Sequence, residues 1–124
     1  MKVKRKQRSR KPGSHAPLDA TQLQTVAGLF GLLAEPSRLR ILQLLQPGPA
    51  SVGELVERSG FKQANVSRQL GQLLAAGVIS RKQEGNRAIY SIALPLVFDL
   101  CELVCTSIAR QAESRAAALR RSTL

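Results

Sequence analysis

The stretch SVGELVERSGFKQANVSRQLGQLLAAG, residues 51–77, decides the fold. Ser51 and Glu54 stand at the spacing of a capping box, in which a hydroxyl and a carboxyl each satisfy a backbone N–H at the start of a helix. The helix they open is short, because Gly60 can take the left-handed conformation that ends it. A second helix is predicted to start almost at once and to run from about Gln63 to Ala76. In it Val66, Leu70, Leu73 and Leu74 recur on one face at three- and four-residue spacing, while Asn65, Arg68, Gln69 and Gln72 fall on the other. Two short helices joined by Gly60-Phe61, the second with amides and an arginine near its start, form the pattern of a helix-turn-helix whose second element enters the major groove of DNA.

Downstream, Gly77 closes that helix. Val78 to Lys82 and Arg87 to Ile92 are β-rich runs about the turn Glu84-Gly85-Asn86, which predicts a hairpin with Arg81, Lys82 and Arg87 beside its turn. After Pro95 a last helix is expected to about Arg120, with Leu96, Val97, Leu100, Val104, Ile108 and Ala112 along one side. Upstream, Leu23, Val26, Ala27, Phe30 and Leu33 predict a helix over roughly 19–33, and Leu39, Ile41, Leu42, Leu44 and Leu45 another over 36–46. Pro36 suits the first turn of the second of these, and Pro47-Gly48-Pro49 stops it. The order is that of a mainly α protein with a β-hairpin wing (α+β), a winged helix-turn-helix over residues 18–121. One element would read bases and the other hold phosphates. The candidate DNA-binding residues are Lys62, Gln63, Asn65, Ser67, Arg68 and Gln69 on the helix, with Lys82 and Arg87 on the wing. An amide side chain can offer a donor and an acceptor together to adenine, and arginine can fork onto guanine O6 and N7.

Charge agrees with a polyanionic partner: of 124 residues, 19 are Lys or Arg and 8 are Asp or Glu, a formal net charge of +11. Lys2, Lys4, Arg5, Lys6, Arg8, Arg10 and Lys11 crowd the first eleven positions, unopposed by any acid, before Pro12-Gly13. Residues 1–17 are therefore expected to be a disordered basic arm. Aromatics make up 3% and Trp is absent, too few for a platform on which single strands stack, so double-stranded DNA is the better substrate. No run approaches the roughly 18 apolar residues of a membrane span, and the N-terminus lacks the apolar region of a secretion signal, which predicts a cytoplasmic protein with no membrane partner. His15 is the single histidine, and neither a G-x-S-x-G motif nor a phosphate-binding loop occurs, so an enzyme is not expected.

Five segments in order, LAEPSRLRIL (33–42), SVGEL (51–55), QANVSRQL (63–70), LAAGVI (74–79) and EGNRAIYSI (84–92), resemble the ArsR/SmtB family of small dimeric winged-helix repressors. The resemblance covers about residues 20–110. It implies a homodimer with long terminal helices at its interface, bound to double-stranded operator DNA and released by an effector, often a toxic metal or metalloid. Departures narrow that effector. Where metal-sensing relatives carry Cys-x-Cys at the start of the helix-turn-helix, this chain has Ser51-Val52-Gly53-Glu54-Leu55. Where others carry Asp and His after the wing, it has Ala93-Leu94-Pro95-Leu96. Lys62 stands where a capping Ser is usual, and Ala64 replaces a common hydroxyl.

Cys101 and Cys105 are four apart on the last helix, one turn from each other on the same side, at the edge of the Val97, Val104 and Ile108 face. Packing is their simplest role. At the interface implied by the resemblance, a pair from each subunit would gather four thiols, and soft thiolates favour arsenite, antimonite or other thiophilic ions; thiol oxidation is the other signal they could carry. No cofactor is required. The alternative to an effector-released, sequence-specific regulator is an effector-independent structural or nucleoid-type nucleic-acid-binding protein dominated by its arm.

Overall fold

The computed structural model describes residues 16–122. The expected basic arm, His15 included, lies outside the described residues except for Ala16 and Pro17, which are exposed and in no helix or strand. The chain divides into two compact units at Gly31.

The first unit holds most of helix α1, Ala20–Leu33. Asp19 and Gln22 open it reciprocally: the Gln22 N–H donates to Asp19 Oδ1 at 2.8 Å, and the Asp19 N–H donates to Gln22 Oε1 at 3.0 Å. The predicted apolar residues Leu23, Val26 and Phe30 are exposed.

The second unit is a winged helix-turn-helix: α2 (Pro36–Leu45), β1 (Ala50–Ser51), α3 (Val52–Ser59), α4 (Gln63–Ala75), β2 (Ile79–Glu84), β3 (Arg87–Ile92) and α5 (Pro95–Ser122). Glu35 caps α2, its carboxylate accepting the Arg38 N–H at 2.9 Å, and Pro36 occupies the first turn. The capping box at α3 is complete: the Glu54 N–H donates to Ser51 Oγ at 3.2 Å and the Ser51 N–H donates to Glu54 Oε1 at 2.8 Å. Gly60 ends α3 at φ +76°, a left-handed backbone that a side chain would strain. The chain then needs only Phe61 and Lys62 before α4 begins.

The strand β1 is not anticipated by the sequence pattern. It turns the predicted hairpin into a three-stranded antiparallel sheet of order β1-β3-β2, with Ala50 opposite Tyr90 and Ser51 opposite Ile89. The wing is thus tied at its base to the residue that caps α3.

Helices α2, α3 and α4 pack on one another. Their interior is Ile41, Leu42 and Leu45 from α2, Leu55 from α3, and Val66, Leu70 and Leu73 from α4, each at most 2% exposed. Burying each such side chain contributes about 1.5–3 kcal/mol. Val78 and Ile79 continue this core into the sheet. Helix α5 packs on α2 and β3, and its buried residues are Val97 and Cys101. The apolar side predicted for it is only partly inside, since Leu96, Val104 and Ile108 are exposed. From Glu102 to Ser122 every residue but the half-buried Ala117 is exposed, so only about the first two turns rest on the domain.

Candidate nucleic-acid interface

On α4 the predicted residues separate by position. Lys62, Gln63, Ser67 and Arg68 are exposed, and Asn65 is half-buried. Lys62 precedes the first turn without a capping side-chain hydrogen bond, since a donor-only ammonium cannot accept from the helix N–H groups. Gln69 departs from expectation. The helical pattern puts it on the outer face, but it is 4% exposed and so cannot reach a groove.

The reason for its burial lies on α2. Arg38 Nη1 donates to Gln69 Oε1 at 3.3 Å and to Gln72 Oε1 at 2.6 Å, while its Nε donates to the Leu32 carbonyl. Gln69 Nε2 in turn donates to Asn65 Oδ1 at 3.0 Å. Arg68 Nη2 donates to the same oxygen at 3.0 Å. A buried amide is tolerated because both its ends are satisfied. Arg38 and Gln72 belong to this chain of bonds, and the sequence reading did not place either in the candidate site. The i, i+4 spacing of Asn65 and Gln69 could have signalled the lower part of this chain of bonds. Nothing local signals a donor from another helix.

On the wing, Lys82 pairs with Ile89 and Glu84 with Arg87 across the antiparallel ladder. Residues two apart on a strand, and residues directly opposite, share a face. Lys82 and Arg87 therefore project from the same face, whereas Arg81, opposite the buried Tyr90, lies on the other. Gly85 makes the turn at φ +62°.

Arg87 is also joined to α3, its Nη2 lying 3.4 Å from Glu54 Oε1, and Arg58 Nη2 lies 3.9 Å from Glu54 Oε2. The Glu54 carboxyl is held below the usual carboxylate range, first by the Ser51 backbone N–H and then by the charges of Arg87 and Arg58, against the opposing effect of burial. With side chains 59% and 38% exposed, the Arg87–Glu54 pair adds little stability; its effect is to hold the start of β3 to the start of α3.

The two cysteines are both free and differ in access: Cys101 is buried and Cys105 is exposed. Burial pushes the Cys101 thiol pKa up, and the Cys105 thiol adds to the shift. Among the described residues of one chain, no group of three or more His, Cys, Asp or Glu side chains is placed to hold a metal ion.

Comparison with known proteins matches residues 33–81 to a helix-turn-helix domain model. The HTH-type transcriptional regulator Rv0081 of Mycobacterium tuberculosis is 43% identical over 94 residues, which cover 75% of this chain and 82% of that protein. Among solved structures, the homodimeric winged helix-turn-helix DNA-binding domain Mb0332 of Mycobacterium bovis, described as a possible ArsR-family transcriptional regulator, superposes with a TM-score of 0.69 at 29% identity, covering 83% of this chain and 95% of that one. The antimony-specific transcriptional repressor AntR superposes with a TM-score of 0.73, also at 29% identity, covering 83% of this chain and 96% of that one.

Proposed function

The chain belongs to the ArsR/SmtB family of helix-turn-helix transcriptional regulators, which are DNA-binding and not enzymes, and from that premise we propose that it is a homodimeric, operator-specific repressor released by a thiophilic ion at Cys101 and Cys105. The observation that carries the DNA reading is the exposed cluster Lys62, Gln63, Ser67 and Arg68 at the start of α4, accompanied by Lys82 and Arg87 on one face of the wing. Homodimerisation is supported by the homodimeric relative Mb0332 and by the exposed Leu96, Leu103, Val104, Ile108 and Leu119 of α5, an apolar surface that a second copy would cover. No helix among the described residues is long and apolar enough to cross a membrane, and DNA as the partner suits the cytoplasm.

Substitution separates the two kinds of contact. Arg68→Ala should weaken binding to the preferred duplex by about 1–3 kcal/mol and relax its base choice, whereas Arg87→Ala should weaken all duplexes alike. Titration of wild-type and variant protein against a selected inverted repeat and a random duplex measures both. Equal wild-type affinity for the two duplexes would favour the effector-independent structural binder instead.

The effector reading rests on thiol chemistry and on the antimony-specific relative. One chain offers two thiols, so a pair from the second copy would complete the ligand set. Exposed Cys105 is the point of first encounter; Cys101 lies in the packing of α5, so drawing its sulfur onto an ion would disturb that packing. As each sulfur binds arsenite or antimonite it displaces a hydroxide, which leaves with the thiol proton as water. A Cys101→Ala/Cys105→Ser variant should bind the selected duplex like the wild type and stay bound in arsenite or antimonite that releases the wild type. Unchanged release in the double variant would return both cysteines to packing.

A further inference from the structure

We propose that Arg38, which lies outside the DNA-reading face, is a positioning residue that fixes Asn65 as a hydrogen-bond donor toward DNA, so that the operator base facing Asn65 is guanine and not adenine. The proposal rests on the reading of α4 as the recognition helix. Its basis is the direction of the bonds that run from α2 to the start of α4. A guanidinium has donors and no acceptor. Arg38 Nη1, which donates to Gln72 Oε1 at 2.6 Å, also faces and donates to Gln69 Oε1 at 3.3 Å, and this turns the Gln69 Nε2 toward Asn65. That nitrogen requires an oxygen in its turn and finds Asn65 Oδ1 at 3.0 Å. Arg68, a second donor-only group, takes the same oxygen at 3.0 Å.

Both ends of the chain of bonds are guanidinium groups, so the order Arg38 to Gln69 to Asn65, with Arg68 closing on Asn65, can be written in one sense only. Turning either amide round would set N–H against N–H at Gln69, which at 4% exposed is too buried for bulk solvent to take up the unmade bond. Asn65 Oδ1 accepts two hydrogen bonds inside the protein, and the Nδ2 amide hydrogens are what remain for the groove.

The major-groove edges answer this differently. Adenine presents an N7 acceptor beside an N6 donor and needs an amide that offers both a donor and an acceptor. Guanine presents two neighbouring acceptors, N7 and O6, which the Asn65 Nδ2 and the remaining donors of Arg68 can meet together. Cytosine presents a donor, and thymine one acceptor beside a methyl group.

The test is selection by the full-length protein from a randomised inverted-repeat duplex library, read by sequencing. The position belonging to Asn65 is the one whose base choice changes in Asn65→Ala. Wild type should favour guanine over adenine there by about tenfold or more. Arg38→Met, which leaves the buried Gln69 Oε1 without its donor, should lower the thermal midpoint but stay folded and keep its affinity for random duplex, while that preference falls to about threefold or less. Arg38→Lys, also donor-only, should restore the preference, whereas Arg38→Gln, which can accept as well as donate, should not. Asn65→Asp preserves both internal bonds but turns an acceptor outward, so its preference should move to cytosine. Adenine opposite Asn65 in the wild type, or an undiminished guanine preference in a folded Arg38→Met, overturns the proposal while leaving operator recognition standing. If Arg38→Met does not fold, Asn65→Asp decides: a move to cytosine supports the proposal and retained guanine overturns it. A wild-type library without any enriched sequence overturns the recognition reading itself, and this inference with it.

Discussion

Leu70→Ala is expected to lower the free energy of unfolding by about 2–5 kcal/mol, through lost transfer energy and the cavity left behind. Leu70 is 1% exposed on α4, between the buried Val66 and Leu73, and α4 is the helix that both α2 and α3 pack against. The site therefore cannot collapse by moving one helix without disturbing the other. Total stabilities are about 5–15 kcal/mol, so the loss is a large share, and a midpoint shift of roughly 4–8 °C per kcal/mol would follow for a domain of this size. Thermal unfolding at fixed protein concentration measures it, because dimerisation would make the midpoint depend on concentration. A shift within about 2 °C would mean that the α2–α3–α4 core is not the source of stability.

Deleting residues 1–11 should act on binding and not on stability. The segment contains seven of the chain's 19 Lys and Arg residues, and the buried core of the described residues begins only at Leu33. Each phosphate contact contributes about 0.9 to the log–log dependence of affinity on salt, so losing seven would flatten the slope by up to about 6. At roughly 0.15 M salt, random-duplex affinity is expected to fall by about tenfold or more, with the thermal midpoint unchanged. Titration at several salt concentrations reads the slope directly. An unchanged slope would show that the arm does not touch phosphates, and a lowered midpoint would show that it supports the fold.

Much of the architecture was legible because its signals are local. Ser51 and Glu54 are three residues apart and cap each other; Gly60 needs only its own backbone to end α3. The end of α4 was expected at Ala76, and the helix stops at Ala75 with the Ala76 N–H still bonded to the Gln72 carbonyl. What escaped depends on partners distant in the chain. Ala50-Ser51 is too short to show strand alternation and becomes β1 only because β3 lies alongside. Gln69 looks like a solvent-facing amide until Arg38 arrives from α2. Cys101 and Cys105 share a side of α5, yet the domain surface ends between them, so one is buried and the other is not. No helical pattern marks where tertiary packing stops.

The β1–β3 pairing has a kinetic consequence. Ala50 meets Tyr90 and Ser51 meets Ile89, with α3, α4 and β2 all lying between them along the chain. The β2–β3 hairpin joins neighbours and can close within microseconds, but the third strand closes a long loop whose entropic cost falls only when the intervening helices are already compact. Docking of α3 on α4 is therefore expected to precede the pairing of β1, completing the sheet around a finished helical pair. On that order, a refolding chain that has secured Ala50 against Tyr90 would already have built both helices of its helix-turn-helix.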